Sequence, residues 1–143
     1  MPFDRSGLEI LGDAECWALL ESAPLGRIVF TDRALPAIQP VNFALCDGDV
    51  IIRTSPGSKL AAATRGAIVA FEADHFDTTT RTGWSVVAIG PARTVTDPHE
   101  LTALQQLPLR PWGPSVHDHF IRIRPEILTG RRIPANTTTP VPR

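Results

Sequence analysis

Two β-rich runs, Val41 to Leu45 and Val50 to Thr54, are separated only by Cys46 and the turn-former Asp47-Gly48-Asp49. A connection that short joins antiparallel neighbours, because a parallel return needs a crossover of about a dozen residues. Further short runs follow the same rule. They are Gly26 to Thr31 before a turn at Asp32-Arg33, Ala67 to Ala73, Gly83 to Gly90 running on towards Val95, Phe120 to Arg124, and Ile127 to Thr129. Helical stretches are brief. Ala14 to Glu21, with Asp13 as the predicted N-cap, carries Cys16, Leu19 and Leu20 on one face and stops at Pro24. Ser58 to Arg65 stops at Gly66, and Asp97-Pro98 opens a helix through Leu104. The pattern predicts a mainly β fold of six or seven antiparallel strands with two or three short helices. Closure into a barrel would remove the sheet edges that otherwise aggregate.

The 143 residues suit one domain, taken as residues 1–133, with the Pro- and Thr-rich stretch 134–143 expected to be a flexible tail. Fourteen basic residues against 15 acidic ones offer no electrostatic case for nucleic acid. No apolar run reaches the roughly 18 residues of a membrane span. Met1 to Arg5 lacks the apolar core of a signal peptide. Cys16 and Cys46 form no CxxC pair and read as reduced thiols, so a cytoplasmic protein is expected. Among the 14 basic residues only Lys59 is a lysine.

That lysine falls in the most informative segment, Ile52-Arg53-Thr54-Ser55-Pro56-Gly57-Ser58-Lys59-Leu60. A strand ends in Arg-Thr, a glycine turn follows, and Ser-Lys opens a helix. Thr54 and Ser58 supply hydroxyl donors. Arg53 can grip two phosphate oxygens, and Lys59 adds a compact point charge. These are the groups that hold a phosphate monoester, although no GxxxxGK[ST] loop is present. An ordinary capped helix with solvated charges is the competing reading.

Six segments in order resemble the flavin-binding split β-barrels of the pyridoxamine 5′-phosphate oxidase-like group. They are Leu25-Gly26-Arg27-Ile28, Pro40-Val41-Asn42-Phe43, Ile52-Arg53-Thr54 with Gly57-Ser58-Lys59-Leu60, Phe71-Glu72-Ala73-Asp74, Gly83-Trp84-Ser85-Val86, and Phe120 to Pro125 with Thr129 to Ile133. The combination is most similar to the actinobacterial and nitroimidazole-resistance-like branch. The resemblance implies a homodimer with FMN at the subunit interface and a flavin-mediated oxidoreductase acting on a small molecule. It assigns the FMN phosphate to Arg53, Thr54, Ser58 and Lys59, and the isoalloxazine to Pro40, Val41 and Asn42. Trp84 and Ser85 would border the cofactor, in some relatives from the partner subunit, and Arg131 or Arg132 would approach from the last strand. No catalytic acid or base is identified. The Arg-x-His pair that ends genuine pyridoxamine phosphate oxidases is absent from Gly130-Arg131-Arg132-Ile133, which argues against vitamin B6 oxidation.

Two alternatives share the barrel: a reductase using the deazaflavin F420, and a non-enzymatic flavin- or haem-binding protein. His117 and His119 would face one side of an extended segment, but two ligands make an incomplete metal site, so no metal is assigned. Glu72 and Asp74 read as a solvated face of a strand end. Trp112, in a proline-rich loop, is left without a role.

Overall fold

The structure is a computed structural model that describes residues 2–55, 57–109 and 119–135. Trp112, His117 and nearly all of the predicted tail lie outside these residues. In chain order the elements are β1 (Glu9–Leu11), α1 (Asp13–Ser22), β2 (Gly26–Asp32), β3 (Leu35–Val41), β4 (Phe43–Cys46), β5 (Asp49–Thr54), α2 (Lys59–Thr64), β6 (Ile68–Asp77), β7 (Thr82–Thr94), α3 (Pro98–Leu104), β8 (His119–Ile123) and β9 (Ile127–Ile133). Every strand pair is antiparallel, as the short connections require. The path is β3-β2-β6-β7-β8-β5-β4, with β9 on β7 and β1 on β9. The first and last strands of this path are consecutive in the chain, joined through Asn42. The sheet thus curls into a barrel split at the β3–β4 seam.

Strand β7 carries both halves. Its first part pairs with β6 and β9, and Ala92 to Thr94 pair with β8. Where it changes partners, the β8–β9 connection crosses against its backbone. Arg124 N donates to Pro91 O at 3.1 Å and Glu126 N donates to Ile89 O at 2.8 Å. A Cβ on Gly90 would lie 1.8 Å from the Arg124 carbonyl oxygen, so the crossing demands glycine.

Strand alternation divides the core in two. Val50 and Ile52 of β5, with Ile121 and Ile123 of β8, face the barrel interior beside Ile28, Phe71, Val86 and Ala88. Ile51 and Phe120 face the other way, into a second cluster with Val95, Leu104 and Leu109 under α3. Burial on both sides explains why β5 reads as an unbroken β-branched run. Helix α1 packs Cys16 and Leu20 onto β9, where a Cβ on Gly130 would lie 2.6 Å from the Cys16 sulfur.

Several boundaries differ from expectation. The single predicted run Val41 to Leu45 is two strands, β3 and β4, broken at Asn42. Strand β3 begins at Leu35 despite Pro36 and Pro40, because it is an edge strand. Prolines lack an N–H and fit where the backbone faces away from β2. Asp13 lies inside α1, and Gly12 is the N-cap. Strand β9 runs through Gly130 to Ile133, and β1 had no sequence signal beyond three residues. The hairpin at Asp47-Gly48 is present, both residues taking positive φ. So is the Asp97 cap, whose carboxylate accepts from Glu100 N at 2.9 Å.

Gly90→Ala should destabilise the fold by about 3 kcal/mol, since backbone rather than a movable side chain blocks the new methyl. Urea unfolding monitored by tryptophan fluorescence measures this, and an unchanged midpoint would show that the crossing tolerates a Cβ.

Candidate functional site

The β5–α2 junction brings two predicted residues into contact. Ser58 is the N-cap of α2, accepting from Ala61 N at 3.0 Å. Its Oγ also lies 3.3 Å from Thr54 Oγ1. One of the two hydroxyl protons lies between these oxygens, which leaves the other O–H able to donate outward. Lys59 follows on the first turn. Its Nζ is 3.0 Å from Asp32 Oδ2, and its side chain is 69% exposed, so the ammonium is held loosely and can be redirected.

Arg53 belongs to the opposite side of β5. Its Nη1 donates to the Leu109 carbonyl at 2.8 Å, and its guanidinium lies 5.5 Å from the centre of the Phe120 ring. There it lines a cavity of about 560 Å³ together with Pro24, Asn42, Phe43, Leu107, Pro108 and Leu109. Alternation along the strand thus separates Arg53 from Thr54, and the structure joins Arg53 to Asn42 instead. Two hydroxyls and an ammonium thus stand at the start of α2, a donor set able to hold a phosphate monoester, while the Arg53 guanidinium lies on the other side of the strand.

The remaining predicted residues divide by face. Val41 is buried in the barrel core, so only its backbone is available to a ligand. Pro40 lies on the outer face of the β3-β2-β6-β7-β9 sheet, in cross-strand register with Arg27, Glu72, Val87 and Thr129. Ser85 lies on the same face, beside Asp74 and Arg131. Trp84 points the other way and packs partly buried against the core. Three strand spacings, about 14 Å, separate β3 from β7. One subunit therefore does not bring Pro40 and Ser85 together. Arg131 and Arg132, expected near the site, are engaged elsewhere. Arg131 Nε is 3.1 Å from Asp4 Oδ2, and Arg132 pairs with Glu9 and Glu15.

Two features differ from what the sequence suggests. His119 stands directly opposite Thr54, with Nε2 buried and without a hydrogen-bond partner. Burial, then the Arg65 charge, hold its pKa below the usual histidine value, which favours the neutral ring. The second is the pair Glu72 and Asp74. Arg27 Nη1 lies 3.5 Å from Glu72 Oε1 and 3.3 Å from Asp74 Oδ2. Burial first, then the hydrogen bond and charge of Asp74, outweigh Arg27 and raise the Glu72 pKa from 4.5 to about 7. Period-2 spacing placed the two carboxylates on one face, but the partial burial of Glu72 had no sequence signal.

The raised Glu72 pKa fixes the sign of a pH effect. The native state holds this proton more tightly than the unfolded chain. The stabilisation is complete below about pH 4.5 and is lost as pH rises to about 7. Glu72→Gln should flatten the fall in Tm between pH 5 and 7 and raise Tm at pH 8. A wild-type Tm constant across that window would refute it.

Comparison with known proteins gives this geometry its context. The family model described as pyridoxamine 5′-phosphate oxidase matches residues 12–132. An uncharacterized Mycobacterium tuberculosis protein, Rv0080, is 47% identical over 131 residues, covering 88% of this chain and 86% of that one. A Mycobacterium smegmatis structure described as an FAD binding protein superposes with a TM-score of 0.77 at 42% identity, over 88% of this chain and all of that one. A Corynebacterium glutamicum structure described as a putative pyridoxamine 5′-phosphate oxidase gives 0.79 at 33% identity, over 92% and 96%. With the antiparallel barrel split at Asn42 and a family match spanning most of its length, the chain belongs to the pyridoxamine 5′-phosphate oxidase-like family of flavin-binding split barrels.

Proposed function

We propose that this protein is a homodimeric, FMN-binding oxidoreductase that acts on a small molecule. The observation that carries the reading is the donor set at the end of β5: the Thr54–Ser58 hydroxyl pair with Lys59 beside it and Arg53 on the other side of the strand. Phosphate would draw Lys59 from Asp32 and take the free hydroxyl proton as a hydrogen bond. The open edge of β3 offers main-chain donors and acceptors from Ile38 to Val41, which suit the pyrimidine edge of an isoalloxazine. A bound flavin would supply the two-electron chemistry. The chain's residues would hold and orient it.

The outer face of the β3-β2-β6-β7-β9 sheet supports the dimer. Ile38, Val29, Ala70, Ile89 and Ile127 form one cross-strand apolar row, with Ile38 67% and Ile127 54% exposed. Ile68, on the same face of β6, is 64% exposed. A continuous apolar face of this kind suits a second copy of the chain. Packing two such faces would carry the β3 edge of one subunit towards Ser85 of its partner, across the separation that one subunit cannot close. Free Cys16 and Cys46 suit a reducing compartment, here taken as the cytoplasm. Among the described residues no helix is long and apolar enough to cross a membrane.

FAD is the second reading, favoured by the description of the M. smegmatis relative. Its first phosphate would use the same cradle. Absorption bands near 370 and 450 nm would identify a flavin (about 420 nm alone would indicate the deazaflavin), and chromatography of the released cofactor separates FMN from FAD. Arg53→Ala with Lys59→Ala should weaken FMN far more than riboflavin, each lost charge-assisted bond being worth about 1.5–3 kcal/mol. Equal weakening in a thermal-shift titration would move the phosphate elsewhere.

Ile38→Asp should convert the dimer to a monomer and lower flavin affinity with the circular dichroism spectrum retained. Sedimentation equilibrium reads the outcome directly. A wild-type monomer carrying bound flavin would end the dimer reading.

A further inference from the structure

We propose that the arginine-lined cavity on the outer face of the β5-β8-β7 sheet is a second ligand site, taking a small molecule that carries a carboxylate or phosphate group. The cavity holds about 360 Å³ and is lined by Asp49, Pro91, Arg93, Arg122 and Arg124. It is independent of the flavin reading. Asp49 and Arg53 share a face of β5, so the cavity lies about 13 Å along that strand from the Arg53 side chain, with the cluster under α3 between them.

The charges explain the preference for an anion. Arg93 and Arg122 are direct cross-strand partners, an arrangement that repels unless it is compensated. Glu100 of α3 compensates both. It receives Arg93 Nη1 and Nη2 at 3.1 and 2.7 Å and Arg122 Nη1 at 2.8 Å. Asp49 Oδ2 accepts from Arg122 Nε at 2.6 Å. Arg122 is therefore clamped from two sides, and its side chain is only 13% exposed. Two carboxylates are thus committed to two guanidiniums. The third, Arg124, makes no side-chain hydrogen bond or ion pair among the described residues, yet it lines the same cavity. Among the described residues one positive charge is left over, beside guanidinium donors already held in place.

Guanidinium forks match planar carboxylates and phosphate oxygens. The volume lies at the lower end of the roughly 300–1,000 Å³ of small-molecule sites, which points to a compact metabolite. Strand β8 and the β8–β9 connection fix the spacing, because Arg124 is anchored through its own N–H to Pro91 at the β7 crossing.

Isothermal titration of the full chain with inorganic phosphate and with citrate, at constant ionic strength set by sodium chloride, tests the site. The expected result is saturable binding of at least one anion, one per chain, unchanged by prior addition of FMN. Arg124→Ala should weaken that binding about tenfold, the loss of one charge-assisted contact, and Arg124→Lys should restore part of it. Arg124 is exposed, and among the described residues its side chain has no partner to lose, so the variant keeps the fold. Arg81→Ala, in the β6–β7 turn at the far end of β7, removes the same charge elsewhere and should leave binding unchanged. Absence of saturable binding for both anions overturns the proposal. So does equal weakening by Arg81→Ala, which would mean diffuse surface charge.

Discussion

The contact at Gly90 organises the molecule. Strand β7 serves two sheets, and it can do so only because the β8–β9 connection lies directly against its backbone at the change of partners. The two hydrogen bonds at that crossing link Pro91 to Arg124 and Ile89 to Glu126. They hold β8 on one half of the barrel and β9 on the other. The apolar row that ends at Ile127 and the arginine cavity reached by Arg124 leave the crossing in opposite directions. A side chain at position 90 would separate both from the rest.

Strand alternation does the next level of work. On β5, Val50 and Ile52 fill the barrel, while Asp49, Ile51 and Arg53 line the outer layer in that order. One strand therefore contributes a carboxylate to the arginine cluster, an anchor for α3 and a guanidinium to the cavity with Asn42. Thr54, next in sequence to Arg53, faces the α2 side with Ser58. Arg53 and Thr54 are neighbours in sequence and lie on two sides of the strand.

The antiparallel fold was legible because hairpin connections and β-branched runs are local properties. The caps of α2 and α3 were legible for the same reason: Ser58 and Asp97 need only the N–H three residues on. Strand β3 was harder to read because Pro36 and Pro40 suggest a break, and an open edge tolerates them only once the barrel has a seam. Gly130 looked like a strand end, yet it makes room for Cys16 of α1. For the site, the presence of the Thr54 and Ser58 hydroxyls at the β5–α2 junction was legible from spacing, and their contact came from the structure. The placing of Arg53 with Asn42, the core position of Trp84 and the raised pKa of Glu72 depended on packing between distant segments.

By itself the sequence determined the strand pairing style, the turn and cap chemistry, and the hydroxyl and cationic side chains that cluster around the end of β5. Each depends on residues within a few positions of one another. Only the tertiary structure decided which face each side chain occupies, that Arg131 and Arg132 serve the N-terminal segment, and that Arg93, Arg122 and Arg124 share a cavity with Asp49. Those outcomes rest on strand register and on the crossing at Gly90. They join residues up to 127 positions apart, as Asp4 and Arg131 are, and no local preference encodes such a distance.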